Sequence, residues 1–258
     1  MNKDFFICGN WKLNHFLDET KKTLRKIVEN VENIKNIKIA LAPVIPLINL
    51  AVEITRFSNI SIVAQNVFYK EKGAFTGEWS VMHLKELGCK YAIIGHSERR
   101  IIFNETNYDI AKKTLSCLDG GIIPIVCIGE TLLERKNGDM KKIIKKQISY
   151  ILDLIVADDL EKLVLAYEPI WAIGTGRSAT SMQAEEMHDL IRKLLIYYFG
   201  EKNAKKTYIL YGGSVNIKNI SQLLSEPNID GVLIGGASLI AESFCQLIKK
   251  AKSLTFKS

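Results

Sequence analysis

Eight short, nearly unbroken apolar runs recur along the chain, separated by longer segments in which apolar residues return every three or four positions. The runs are FFICG (5–9), IKIALAP (37–43), ISIVAQ (60–65), YAIIGH (91–96), IIPIVCIG (122–129), LVLAYE (163–168), YILYGG (208–213) and GVLIGG (231–236). They are rich in β-branched residues and do not alternate apolar with polar, which is the pattern of parallel strands covered on both faces. The segments between them have helical period. Leu24, Ile27, Val28 and Val31 follow the first run, and Met187, Leu190, Ile191, Leu194 and Leu195 follow the sixth, where Thr180 and Gln183 are spaced as a capping box. Eight strand–helix units joined by right-handed crossovers close most simply into a (β/α)8 barrel, whereas a doubly wound sheet usually uses fewer strands. The expected organisation is therefore a single α/β domain over residues 1–258, a length ordinary for such a barrel.

Composition narrows the picture. With 47% hydrophobic and 24% charged residues and five prolines, the chain reads as globular and not as disordered or fibrous. The opening MNKDFFICGNWK is too short in apolar residues for a signal peptide, and no run reaches transmembrane length, so no membrane partner is expected. Five cysteines, an odd number without CxxC spacing and mostly within apolar runs, point to reduced, buried thiols and a cytoplasmic setting. The formal charge of +7 permits attraction to nucleic acid, to acidic lipid or to small anionic metabolites, and does not choose among them. The densest basic run, RKNGDMKKIIKKQ, places Lys141, Lys142, Lys145 and Lys146 opposite Ile143, Ile144 and Ile148 without aromatic residues between them. That is a solvated helix face, and nucleic acid is not an expected partner.

In a barrel of this kind the reactive groups sit at the C-terminal ends of the strands. Here those ends supply Asn10 and Lys12, then Pro43, Gln65, His96, Glu130, Glu168, Gly212 to Ser214, and Gly235 with Gly236. Glu168 could serve as a strand-end salt bridge. Set before Pro169 and beside Trp171 and Ile173, however, it is expected to be partly desolvated and so a stronger base. His96 precedes SERR and is expected at a helix N-terminus, and with no HxH or HExxH spacing it points to proton chemistry or carbonyl polarisation and not to a metal site. Lys12, expected to face Glu98, is placed to fix negative charge on a substrate. YGGSV and LIGGAS end adjacent strands with glycine pairs. Such pairs often mean only tight turns, but two side by side match the anion site of barrels, where backbone N–H groups and a helix start face a phosphate.

GNWK, AQN with GAFTGE, IIGHSERR, CIGE, AYEPIWAIGTG, YGGSV and GVLIGGASL all occur in one order and spacing, and by them the chain closely resembles the triosephosphate isomerase family over essentially its full length. The resemblance implies a (β/α)8 TIM barrel that interconverts dihydroxyacetone phosphate and glyceraldehyde 3-phosphate, in glycolysis and gluconeogenesis, with neither metal nor organic cofactor. It makes Glu168 the base, His96 the electrophile that polarises the carbonyl, and Lys12 with Asn10 the stabilisers of enediolate charge. Gly174, Ser214, Gly235 and Gly236 become the phosphate-holding backbone, with Ser97 and Glu98 in support. Pro169 to Trp171 becomes a hinge and AIGTG the tip of a lid. The loop at 65–79 implies a homodimer, contacted through Thr76 and Glu78. Leu13, His15, Phe16, Trp79 and Arg177 depart from the commoner family pattern. A Schiff-base lyase on the same fold would need a lysine in a strand interior, which the eight runs are read as lacking.

Overall fold

The computed structural model describes residues 4–172 and 179–255. Eight parallel strands close into a barrel in chain order: β1 (Phe5–Asn10), β2 (Ile37–Ala42), β3 (Ile60–Ala64), β4 (Tyr91–Ile94), β5 (Ile123–Ile128), β6 (Val164–Tyr167), β7 (Tyr208–Tyr211) and β8 (Gly231–Ile234). Closure is completed by β1, which pairs with β2 on one side, Gly9 opposite Leu41, and with β8 on the other, Gly9 opposite Ile234.

Successive side chains of a strand point to opposite faces. Phe6 and Cys8 of β1 point into the lumen beside Ile93, Cys127, Ala166 and Leu210, while Ile7 points outward into the layer that the helices cover. Both faces are buried, which is why the runs carry no alternation. The helices cover the outer layer as their periodicity predicts. Leu17–Val31 buries Leu24, Ile27 and Val31, and Ser181–Phe199 buries Met187, Ile191 and Leu195 after a capping box of Thr180 and Gln183. Each such side chain removed from water contributes about 1.5–3 kcal/mol. In Met140–Leu152, Ile144 and Ile148 are buried and the four lysines face solvent. Among the described residues no helix is long and apolar enough to cross a membrane.

Two expectations need correction. Lys38 lies inside β2, so the strands are not free of lysine; it is exposed near the strand's N-terminal end, its ammonium 4.1 Å from the ring centroid of Tyr208. The glycine pairs also do not open regular helices. After β7 the next helix begins only at Ile220, and after β8 a three-residue 3-10 turn, Gly236–Ser238, precedes the helix Ala241–Leu254. A helix dipole is therefore not aligned behind Ser214, and any anion there meets loop backbone.

Candidate active site

The strands stop just short of the polar positions, so Gln65, His96, Glu168 and Gly212 all lie just past the last residue of their strands, at the mouth of the barrel. At the end of β1 the buried Trp11 anchors the chain, and Lys12 takes a left-handed backbone conformation at φ 53°, which side-chain-bearing residues adopt only under constraint. The constraint is visible. Asn10 Oδ1 accepts the Lys12 N–H at 3.0 Å, and Gln65 Nε2 donates to the carbonyls of Lys12 and Ala42, each at 2.8 Å. Held this way, Lys12 Nζ meets Glu98 Oε1 at 2.7 Å, the pairing expected from sequence.

Past β4, Gly95 turns the chain at φ 66° and His96 caps the short helix Ser97–Ile101. Its Nδ1 accepts the Glu98 backbone N–H at 3.3 Å. A nitrogen that accepts has its lone pair free, so the ring proton is assigned to Nε2, which faces Glu168 Oε1 at 3.1 Å. The second carboxylate oxygen accepts the Ser97 N–H at 2.9 Å, so Ser97 supports Glu168 through its backbone amide. Glu168 is only 2% exposed. Its surroundings leave no room for side chains at two neighbours: a Cβ on Gly129 would lie 1.7 Å from the Glu168 carbonyl oxygen, and one on Gly212 would lie 2.8 Å from Glu168 Cγ. The Cys127 thiol also belongs to this environment, its pKa pushed well up by burial and then by the adjacent carboxylate.

Lys12, His96 and Glu168 line one cavity of about 330 Å³, closed on the other side by Gly212–Ser214 and Gly235–Ala237. A Cβ on Gly236 would meet nothing within 4 Å, so a ligand can approach its backbone directly. Asn10, Ser214 and Gly235 line the same cavity, and Gly174 lies outside the described residues, as do Ile173 and Arg177. Trp171 does not turn its polar edge toward Glu168. Its Nε1 donates to Glu130 Oε1 at 2.9 Å, an oxygen that also receives Tyr167 Oη and an Arg135 guanidinium nitrogen, each at 3.0 Å. Among the described residues no group of three or more His, Cys, Asp or Glu is placed to hold a metal ion.

Sequence reasoning gave no role to Gln65, Glu130 or Arg100. The first two were visible as polar strand ends, whereas Arg100 gave no signal of its own. Its guanidinium donates to Gly95 O at 2.8 Å, to Asn107 Oδ1 at 2.7 Å and to Cys127 O at 2.8 Å, fastening the turn that carries His96 to the end of β5. Burial lowers the Arg100 pKa, against the pull of Cys127, Glu168 and Glu105.

A family model described as triosephosphate isomerase matches residues 5–251 of the chain. A triosephosphate isomerase of Endomicrobium trichonymphae is 44% identical over 246 residues, 95% of this chain and 98% of that protein. One from Clostridium tetani is 43% identical over 94% of each chain, and one from Carboxydothermus hydrogenoformans is 42% identical over 95% of this chain and 97% of its own. With its closed eight-stranded barrel and a match across nearly its whole length, the chain belongs to the triosephosphate isomerase family, a family of isomerase enzymes.

Proposed function

We propose that this chain interconverts dihydroxyacetone phosphate and D-glyceraldehyde 3-phosphate by proton transfer through Glu168, as a step of glycolysis and gluconeogenesis. The family is itself a standard illustration of a glutamate base working beside an uncharged imidazole, so that pairing is inherited and not new. The observation that carries the reading is the meeting of Glu168, His96 Nε2 and Lys12 in one cavity backed by two glycine turns.

The steps follow from this geometry. Phosphate sits against the backbone of Ser214, Gly235 and Gly236; Gly174, outside the described residues, is assigned to the same role by the family resemblance alone. The carbonyl of dihydroxyacetone phosphate faces His96 Nε2–H and the Lys12 ammonium. Glu168 exchanges the Ser97 amide for the substrate and takes a proton from the hydroxymethyl carbon. The electron pair moves into a carbon–carbon double bond and leaves negative charge on the former carbonyl oxygen. There Lys12, Asn10 and His96 stabilise it, and water exclusion strengthens every such interaction. His96 relays a proton between the two oxygens, and Glu168 returns its proton to the neighbouring carbon to give the aldehyde. Positioned proton transfer alone contributes about 10²–10⁴-fold, so charge stabilisation must supply much of the remaining barrier reduction. Remote phosphate contacts drive closure of the lid hinged at Pro169–Trp171.

We further infer a homodimer formed through the 65–79 loop by Thr76 and Glu78, supported by the exposure of residues 70–79. A reducing, cytoplasmic setting is supported by five buried cysteines, all free. The decisive test is a coupled assay on glyceraldehyde 3-phosphate with the parent chain and Glu168→Asp, which withdraws the carboxylate by one methylene. A displacement of about 1 Å is expected to lower kcat by roughly 10²-fold with little change in inhibition by inorganic phosphate. Parent-level turnover by the variant would assign the base elsewhere.

A further inference from the structure

The first loop contains a histidine that the proposed reaction leaves unused. His15 lies in the left-handed region at φ 66°, and its ring stands edge-on to Trp11, with centroids 4.6 Å apart and planes at 79°. Nε2 is 3.1 Å from the Leu239 carbonyl. A carbonyl only accepts, so Nε2 carries the ring proton and Nδ1 is left toward Glu19 Oε2, 3.9 Å away. Trp11 makes the matching contact one residue earlier, its Nε1 donating to Ser238 O at 3.0 Å.

Two ring N–H groups of one loop thus hold consecutive carbonyls of one turn, and that turn presents Gly235 and Gly236 to the cavity. From inside the turn, Ser238 Oγ bonds to Gly235 O at 2.7 Å. Glycine backbone is the most conformationally free, and an anion site made of amides works only when those amides are fixed in advance. Between Trp11 and His15 in the chain lies Lys12, whose ammonium must stand at a set distance from the same anion. We propose that His15 is a positioning residue, a strap that locks the Lys12 loop to the Gly235–Gly236 turn and so fixes the spacing between cation and anion cradle. Its left-handed backbone is the conformation that lets the ring reach Leu239 while standing edge-on to Trp11. The inference rests on the phosphate-site reading above and adds a residue to it.

The test uses the full chain with two substitutions. His15→Phe keeps the ring on Trp11 and removes the donor, and His15→Gln restores an N–H donor. KM, kcat and the inhibition constant of inorganic phosphate are measured, together with elution volume. Loss of one such hydrogen bond is expected to raise KM and the phosphate inhibition constant about fivefold in the phenylalanine variant, with kcat changing far less and elution volume unchanged. The glutamine variant recovers most of the loss. Unchanged KM and phosphate inhibition in His15→Phe overturn the proposal, as does a loss of kcat and assembly at constant phosphate inhibition. Should His15→Phe not fold, the imidazole nitrogen NMR signals of the parent chain decide: Nε2 must stay protonated and shift on addition of inorganic phosphate, and a signal blind to phosphate overturns the strap. An inactive parent chain that still binds inorganic phosphate would sink the isomerase reading alone.

Discussion

A carboxylate at the end of an apolar strand is costly to bury unless donors meet it, and Glu168 has two, the Ser97 amide and His96 Nε2. Room is equally restrictive at this residue. Gly212→Ala would set a Cβ 2.8 Å from Glu168 Cγ, so the side chain must move and its donors with it. We expect kcat to fall by about 10–100-fold, the range that sub-ångström to 1 Å misplacement of a base produces, with the urea midpoint shifting little. Unchanged kcat would mean that Glu168 has freedom which its contacts do not suggest. Glu168, His96 and Lys12 were legible in sequence because each is a polar residue terminating an apolar strand. Their supports were not. Gln65 reaches back 53 residues to Lys12, and Arg100 reaches forward 27 to Cys127, so the contacts that hold Lys12's backbone and the His96 turn exist only after the barrel closes. The partner of the Trp171 ring N–H was hidden for the same reason, since Glu130 lies 41 residues away.

Elements were more legible than contacts, because burial on both faces writes itself directly into a strand. The helix Ser181–Phe199 was equally plain from its capping box and apolar stripe, yet the stripe gave no hint that His188 shares its buried face. The ring donates from Nδ1 to Asn228 O at 3.1 Å and stands at 90° to Tyr167, centroids 5.8 Å apart. Burial, aided by Arg192 and opposed by the Asn228 hydrogen bond, lowers the His188 pKa from 6.5 to about 3. The consequence has a definite sign. Above pH 6.5 neither folded nor unfolded chain protonates this ring, and it adds nothing to the pH dependence. As pH falls from 6.5 toward 3, the unfolded chain takes up a proton that the folded chain refuses, and stability is lost by up to about 1.4 kcal/mol per pH unit. Between pH 7.5 and 5.0 the loss assigned to His188 approaches about 2 kcal/mol. His188→Asn keeps a donor for Asn228 O and cannot titrate, so its urea midpoint should fall less than the parent's over that interval. Parallel curves would show that another group carries the acid sensitivity.

At the scale of the whole molecule, the eightfold count of strands settled the architecture from sequence, while the surface was much less readable. Large apolar side chains stand exposed on the segments that follow β1, β3 and β4: Leu13 at 93% and Phe16 at 86%, then Phe75, Trp79 and Met82, then Ile101, Ile102 and Phe103. Hydropathy alone would leave GAFTGE as an open turn. In the structure the loop projects as a preformed unit, with the Phe68 amide bonded to Trp79 O at 2.8 Å, the Phe68 and Phe75 rings 4.6 Å apart, and residues 70 to 79 all exposed. Contiguous apolar surface beyond a few hundred Å² marks an interface, and a second copy of the chain offers the self-complementary match that two-fold symmetry requires. An interface of standard size would bury about 1,200–2,000 Å². In the dimer proposed above the interface also takes in the exposed Leu13 and Phe16, which follow Lys12 in the chain, so assembly and activity should be coupled. Sedimentation of the parent at micromolar concentration is therefore expected to report two chains. Trp79→Glu, which places a charge among the exposed apolar side chains of this loop, should report one, and its kcat should fall by at least tenfold as the Lys12 loop loses its cover, a barrier increase of about 1.4 kcal/mol. A parent chain that sediments alone with full activity would separate this edge from the catalytic machinery and remove the dimer from the account of how Lys12 is held.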